Sequence, residues 1–228
     1  MAAVLFLTLG VGDLTRPRGP HGVGRALLGA AVGMLAASAT VWLAGIPWWW
    51  LAPLAAVSAI WSLGTGSTQS RFAIGALVVV IVAVCAALLA PGASGATGGV
   101  LVPWFEALPY EATRAVPTER ALLLVSYSVF LVQSANLVVM AVLGRTDARL
   151  PAIGSRLKGG RIIGPLERLF ILWLALAGQA LAVTAIIAAK SILRYPEVSG
   201  KKSSALAEYV LIGSLVSWSL ALIIVPVH

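Results

Sequence analysis

The sequence predicts an all-α polytopic membrane protein, a bundle of six transmembrane helices with a possible short helix before them. Two observations support this prediction. Of the 228 residues, 60% are hydrophobic and only 11% are charged, whereas an average soluble domain has about 25% charged residues. The few charges also leave five long stretches without any Asp, Glu, Lys or Arg. These stretches are residues 26–70, 72–105, 121–144, 169–189 and 209–228.

The composition excludes several other classes of protein. A chain this apolar is not disordered, and it is poorly suited to a water-soluble globule. Its glycines have no three-residue period, which excludes collagen. Cys85, His21 and His228 are the only residues of their types, too few for a disulfide scaffold or a Cys/His zinc cluster. We therefore expect no bound metal and no cofactor.

Each charge-free stretch is long enough for a helix that crosses a bilayer, which needs about 20 apolar residues for a core of about 30 Å. The first stretch holds two crossings, with a turn at Gly45-Ile46-Pro47, and the second breaks at the glycine-rich segment 91–95. The stretches are uniformly apolar instead of alternating, which favours helices over a barrel. The predicted spans are 26–44, 48–64, 72–90, 121–143, 165–190 and 206–226.

The spans organise the chain as a single membrane domain, residues 1–228. Its first part is apolar over residues 1–12, too short to cross alone, and lacks the basic leader and cleavage site of a secretory signal. We expect a membrane-dipping or peripheral helix there, or else a tilted seventh span that extends past Asp13. The segments are 1–25, apolar then basic; 26–90, spans 1–3; 91–120, an extracytoplasmic loop with an interfacial part; 121–144, span 4; 145–164, a basic cytoplasmic loop; and 165–228, spans 5 and 6.

Basic residues near span ends predict the orientation, because they stay on the cytoplasmic side. Nine basic residues lie on one side, which holds the segment before span 1, the turn between spans 2 and 3, and the 145–164 loop. Six basic residues lie on the other side. This bias predicts a multi-pass protein of the cell (inner) membrane with both termini cytoplasmic. The 190–202 loop is basic although this orientation places it outside.

Aromatic residues mark the proposed outer boundary. Indole and phenol rings prefer the membrane–water interface, since they combine an apolar body with one polar group. Stacking on a ligand is the alternative role. The expected interfacial belt consists of Trp42, Trp48, Trp49, Trp50, Trp104 and Tyr110.

The net charge of +8 raises the question of nucleic-acid binding. The charges are scattered around the predicted spans, and no soluble domain is large enough to form a groove. Anionic lipid headgroups at the basic loops explain the charge better.

Polar residues inside the predicted spans form a candidate site. If span 4 is one continuous helix, Ser126, Gln133 and Asn136 lie within about one quadrant of it, and span 5 contributes Gln179. A primary amide that faces lipid leaves donors and acceptors unpaired, at roughly 1–3 kcal/mol each. We therefore expect these four residues to face the bundle interior. There they either form hydrogen bonds between helices or line a path for a solute.

Charged residues near span ends form a second candidate group, Glu167, Arg168, Lys190, Arg194 and Glu208. Glu167 and Glu208 are expected in the first turns of spans 5 and 6, where the helix dipole favours acids, with Pro165 just before Glu167. Lys190 is expected near the end of span 5, in a helix that can continue as far as Pro196, which is expected to stop it.

Stripes of small residues at three- or four-residue spacing predict helix-packing faces, because short side chains permit close contact between helices. The stripes do not distinguish contacts within one chain from contacts between chains. They are Gly29, Gly33 and Ala37 in span 1; Gly178, Ala182, Ala185 and Ala189 in span 5; and Gly213, Ser217 and Ala221 in span 6.

Three strings in the C-terminal third are GRIIGPLERLF (160–170), AAKSILRYPE (188–197) and AEYVLIGSLVS (207–217). In order and spacing they resemble the end of a family of bacterial multi-spanning membrane proteins whose function is unknown. The resemblance implies membrane location and a polar framework between spans 5 and 6, for instance Lys190 or Arg194 with Glu208. The matching polar residues are Glu167, Arg168, Gln179, Lys190, Ser191, Arg194 and Glu208.

The sequence contains no recognisable catalytic motif: it has no paired Asp-rich motif, no histidine within a span, and no base beside Ser214. The favoured function is therefore a non-catalytic subunit or scaffold of a membrane complex. A transporter or channel for a small solute or lipid, lined by the polar cluster, is the alternative, and a membrane-embedded enzyme is third. The expected partners are membrane lipids and either a membrane protein or a second copy, and not nucleic acid.

Overall fold

The computed structural model describes residues 1–16, 23–66, 70–89, 99–110, 116–143, 160–199 and 204–225. Within these residues it contains helices and no strand, so the predicted all-α class is confirmed. A single turn of 3-10 helix, Trp48–Trp50, precedes α3. The helices are α1 (Ala2–Thr15), α2 (Val23–Leu43), α3 (Leu51–Gly66), α4 (Ser70–Leu89), α5 (Leu101–Glu106), α6 (Thr118–Val132), α7 (Ser134–Leu143), α8 (Gly160–Leu176), α9 (Ala180–Ser199) and α10 (Ser204–Leu222).

The chain forms two compact units, which we call unit 1 (Met1–Ser134) and unit 2 (Ala135–His228). Unit 1 contains α1 to α6, and unit 2 contains α8 to α10 with nearly all of α7. Neither unit by itself decides how many membrane domains the chain has, so the single domain stays a prediction.

Only part of the predicted span pattern reappears as long helices. Among the described residues, Gly24–Leu43 is the one helix that is long and apolar enough to cross a bilayer alone. Helices α6 and α7 meet the same criterion only if the bent pair is counted as one span. Six crossings are therefore not confirmed by helix length and composition. Shorter apolar helical segments are Ala2–Thr15, Ala73–Ala86, Ala180–Ile192 and Glu208–Leu222.

Helix α1 lies at the centre of unit 1. Its residues Val4, Leu5 and Leu9 are buried, and it packs against α2, α3, α4 and α6. With 14 residues it is about 21 Å long at 1.5 Å per residue. The expected short N-terminal helix is therefore present and lies in the core of unit 1, and its position relative to a membrane stays a prediction.

Glycines bring α1 and α2 into backbone contact. A Cβ atom added to Gly33 would lie 2.3 Å from the carbonyl oxygen of Thr8, and one added to Gly29 would lie 2.6 Å from the carbonyl oxygen of Gly12. No side chain fits in these gaps, so the two backbones touch directly. The small-residue stripe of α2 thus packs against another helix of the same chain.

The predicted turn at residues 45–47 is confirmed. Gly45 adopts φ +65°, a conformation that costs side-chain-bearing residues energy. Its N–H donates to the Trp42 carbonyl, and the next N–H, of Ile46, donates to the Val41 carbonyl. This pair of bonds is the Schellman motif that closes a helix C-terminus, and Pro47 follows it. The local sequence alone therefore accounts for the end of α2 at this turn.

The predicted fifth span is not one helix. The same Schellman motif ends α8: Gly178 has φ +70°, its N–H donates to Ala175, and the Gln179 N–H donates to Leu174. Helix α9 then begins at Ala180. The prediction of one helix over 165–190 is wrong, because Gly178 lets the backbone close α8 in the middle of a charge-free run.

Helices α8 and α9 fold back on each other as an antiparallel hairpin. Ile171 of α8 and Val183 of α9 are buried in one core with Ala221 of α10. The start of α8 and the end of α9 also differ from expectation. Helix α8 begins at Gly160, so Pro165 lies inside it and Glu167 is beyond the first turn. Helix α9 continues through Pro196 to Ser199, since a proline near a helix end removes one backbone hydrogen bond without forcing the chain to turn.

The predicted fourth span is interrupted as well. Helix α6 ends at Val132, Gln133 leaves the helical conformation with φ −123° and ψ −48°, and α7 begins at Ser134. The continuous helix expected over 121–143 is therefore wrong. The prediction that Ser126, Gln133 and Asn136 lie within one quadrant assumed this continuous helix, so it no longer holds.

Candidate functional site

Glu167 of α8 connects three helices of unit 2. Its carboxylate accepts hydrogen bonds from Lys190 Nζ of α9 at 2.5 Å and from Trp218 Nε1 of α10 at 2.8 Å. The Lys190 ammonium also lies 5.3 Å from the centre of the Trp218 ring, close enough for cation–π attraction. One carboxylate thus holds an ammonium and an indole from two neighbouring helices.

Arg168, the next residue of α8, makes a second set of contacts. Its side chain is buried, with 2% of the residue exposed. One terminal nitrogen donates to Ser217 Oγ of α10 at 3.2 Å, and the other donates to Asn136 Oδ1 of α7 at 2.7 Å. Because successive residues of a helix point about 100° apart, Glu167 and Arg168 reach different neighbours. We call these residues, with their partners, the unit 2 network.

The unit 2 network is suited to holding helices in register. Removing charges from water costs several kcal/mol per ion, and only close, well-oriented partners offset that cost. The four partners named above come from helices other than α8, so a shift of α7, α9 or α10 along its axis would break a bond. The arrangement therefore specifies the relative positions of four helices.

A second buried network lies in unit 1 around Asp13, near the end of α1. Its carboxylate accepts hydrogen bonds from Trp61 Nε1 of α3 at 2.9 Å and from Ser134 Oγ at 2.5 Å. It also pairs with the Arg16 guanidinium at 3.0 Å, and Arg16 donates to Thr65 Oγ1 of α3 at 3.0 Å. We call these five residues the unit 1 network. It fixes α1 against α3 and against the segment that follows α6.

Sequence spacing does not reveal the unit 1 network as a whole. Asp13 is the only charged residue among the first 15, it follows an apolar run, and Arg16 comes three residues later. On a helix that spacing places the two side chains on one face. The signal for an ion pair was therefore present, but its partners Trp61 and Ser134, which are 48 and 121 residues away from Asp13, leave no trace in sequence spacing.

The four residues of the predicted polar cluster have different surroundings. Ser126 is fully buried in unit 1, and its hydroxyl has no hydrogen-bond partner among the described residues. Gln133 lies at the interruption between α6 and α7. Asn136 binds Arg168, and Gln179 is exposed in the turn of the hairpin. In unit 2, then, Asn136 and Gln179 do not share an environment.

The predicted charged framework exists in part and with other partners. Glu167, Arg168 and Lys190 do connect helices, as expected from the resemblance. The suggested pairing of Lys190 with Glu208 is wrong, since Lys190 binds Glu167 and Glu208 is exposed. The antiparallel hairpin brings Lys190 back beside Glu167, which a single long helix would have kept far apart. The side chain of Arg194 lies outside the described residues.

The aromatic residues of the predicted belt lie on the surface of unit 1. Five of the six are exposed, and Trp50 is half-buried. Gly99 packs against the backbone of Leu43 to Gly45, which places the chain just before α5 at the same end of unit 1 as the Trp48–Trp50 turn. The exposed members are Trp42, Trp48, Trp49, Trp104 and Tyr110.

No group of three or more His, Cys, Asp and Glu side chains within the described residues is arranged to hold a metal ion. Comparison with known proteins finds no protein family, no curated protein and no solved structure that matches this chain.

Proposed function

We propose that the chain is an integral membrane protein that serves as a non-catalytic subunit or scaffold of a membrane complex. The observation that supports this most directly is the inverted distribution of side chains on α8. The charged residues Glu167 and Arg168 are 9% and 2% exposed. Large apolar side chains that are 48–60% exposed form a ridge along the same helix, beside Glu167 and opposite Arg168; they are Ile163, Leu166, Phe170 and Trp173.

This distribution fits hydrocarbon surroundings better than water. A soluble helix buries its apolar face and exposes its charges. Inside a membrane, ionisable residues face the bundle interior and pair with one another, while apolar side chains face lipid or a partner helix. Helices α2 and α4 present similar apolar surfaces, including Leu35, Val78 and Val82.

A structural role for the polar residues favours the subunit over a transporter. Glu167, Arg168, Lys190 and Asn136 are engaged with side chains of neighbouring helices. Groups used in this way stabilise the packing and do not present an open row of ligands. Three of these four residues also belong to the strings that resemble the bacterial membrane family, so we propose that the family shares this network.

The hairpin of α8 and α9 changes the proposed orientation. If the hairpin lies in the membrane, its two ends emerge on the same side, whether it crosses fully or turns back midway. The basic 145–164 loop and the basic segment after Lys190 then share the cytoplasmic side, which removes the conflict with the positive-inside rule. Helix α10 leaves from that side, so Leu222 lies toward the opposite side.

Cysteine labelling tests this orientation. In a Cys85→Ser background, Ala148→Cys and Lys201→Cys should react with a membrane-impermeant maleimide from the same side of sealed vesicles. Glu106→Cys should react from the other side. The physical reason is that a hairpin returns the chain to the side from which it entered. Reaction of positions 148 and 201 from opposite sides would show that residues 160–199 cross once, and would refute the hairpin orientation.

Purification in mild detergent followed by native mass spectrometry tests the subunit function. We expect a stoichiometric companion protein, and we expect the double change Phe170→Ala with Trp173→Ala to release it by shortening the apolar ridge of α8. The matched control is Val78→Ala with Val82→Ala, which removes exposed apolar atoms from α4. A lone chain in every preparation, or equal loss of the companion from both variants, contradicts the proposal.

Transport is the second candidate, and one observation favours it. Gln133 and Gln179 both lie where a helix is interrupted, and interrupted helices form the binding sites of many membrane transporters. Transport requires that Gln133→Leu or Gln179→Leu abolishes solute flux in reconstituted vesicles while the protein stays folded. The subunit function instead requires that these changes leave flux at the level of empty vesicles.

A further inference from the structure

Unit 1 contains a cavity of about 230 Å³ between α1, α3 and α4. Leu5 of α1 and Leu54 of α3 are buried and form its floor. Val57 of α3 and Ala83 and Ala86 of α4 line its sides. Ala83 and Ala86 are three residues apart and therefore share one face of α4. Their short side chains leave a gap that longer residues would fill.

The lining of the cavity determines what it can hold. Its side chains are aliphatic except for Met1 and the Trp50 indole, so a polar ligand would find almost no hydrogen-bond partner there. An enclosed apolar cavity of about 150 Å³ in another protein binds hydrocarbon guests, and this cavity, which is half open to the surface, is lined by the same kind of side chain. The cavity is therefore chemically suited to a saturated or unsaturated hydrocarbon.

We propose that this cavity binds one hydrocarbon chain of a membrane lipid. This inference rests on the proposed membrane location, which supplies the lipid. The exposed surface of α4 is also apolar, since Val78, Ile81 and Val82 are more than half exposed, and Val82 directly precedes Ala83 of the cavity lining. Trp50, at its edge, directly follows the exposed Trp48 and Trp49. Those indoles suit the headgroup level, and a chain entering beside them would lie along α3 and α4.

Photocrosslinking tests the occupant. The purified chain is placed in nanodiscs of phosphatidylcholine and phosphatidylglycerol that contain a phosphatidylcholine with a diazirine in one acyl chain. Crosslinks are expected on Leu54 and Val57. In Ala83→Phe the added ring fills the cavity, and the crosslink yield at these two residues should fall about tenfold, as expected from the loss of a few buried methylene contacts. Ile81→Trp adds bulk on the side of α4 opposite Ala83 and Ala86, where Ile81 is exposed, and should leave the yield unchanged.

Other results would overturn the proposal. Equal yields in Ala83→Phe and the unchanged chain would mean that lipid does not enter the cavity. Crosslinks confined to Val78, Ile81 and Val82 would mean that lipid only surrounds the helices. A lack of lipid crosslinks at both Leu54 and Val57 would mean that no lipid chain occupies the cavity. Should Ala83→Phe fail to fold, Ala86→Phe at the exposed edge provides the same comparison.

The proposed membrane location is measured separately, by resistance of the chain to extraction with alkaline carbonate. Release of the chain by carbonate would refute the proposed function, whatever the crosslinks show. Resistance to carbonate together with equal crosslink yields in all variants would refute only the inference that a lipid chain occupies the cavity.

Discussion

Gly33→Ala is expected to destabilise unit 1 by about 3 kcal/mol, near the upper end of the cost of forcing extra atoms into a packed contact. The added Cβ would lie 2.3 Å from the carbonyl oxygen of Thr8. That oxygen belongs to the backbone of α1, so it cannot rotate away as a side-chain end could. Helices α1 and α2 must separate, and their other contacts weaken. Thermal unfolding in mild detergent, followed by circular dichroism, should show a midpoint lowered by about 5–10 °C.

Gly24→Ala is the matched control, because Gly24 lies on the same helix. A Cβ atom there would meet nothing within 4 Å. Alanine is favoured over glycine in a helix by about 0.8–1.0 kcal/mol, so this variant should be unchanged or slightly more stable. If both variants lose the same stability, the backbone contact between α1 and α2 is not the cause.

Glu167→Gln should destabilise unit 2 by about 2–4 kcal/mol, since removal of one partner leaves an uncompensated charge in the interior. The glutamine can still accept a hydrogen bond from Trp218, but it cannot neutralise Lys190. We expect a loss of stability at the lower end of the range for buried pairs, because the Lys190 side chain is still 19% exposed. The Glu167 side chain is 8% exposed. The thermal midpoint in detergent is again the measurement.

A double-mutant cycle separates the ion pair from other effects of the substitution. Lys190→Met in the Glu167→Gln background should cost less than Lys190→Met alone, because the buried charge has already lost its partner. Glu208→Gln is the control, as Glu208 is exposed, and should change stability by less than about 0.5 kcal/mol. Additive losses at positions 167 and 190 would exclude the coupling that the structure shows.

Local features of the sequence were sufficient to predict part of the fold. The charge-free stretches predicted an all-α chain, and Gly45-Ile46-Pro47 predicted the end of α2, since a glycine at positive φ followed by proline needs no distant partner. The small-residue stripe of α2 likewise predicted a packing face. The resemblance implied that Glu167, Arg168 and Lys190 form a framework, and they do connect helices.

Other features could not be predicted from the charge-free stretches. The interruptions at Gln133 and Gly178 fall inside such stretches, and although Gly178 closes α8 by the same local motif as Gly45, no proline follows it to mark the turn. The hairpin places Lys190 beside Glu167, while the sequence favoured Glu208 as its partner. The resulting network therefore differs from the predicted one in its pairing.

What the sequence by itself determined is the class of the chain, because apolar composition and local turn chemistry act over a few residues. What only the tertiary structure decided is which polar groups meet: Asp13 with Trp61 and Ser134, and Arg168 with Asn136 and Ser217. The physical reason is that a buried charge must find partners in space. Helix breaks and helix packing bring those partners together, regardless of their separation along the chain.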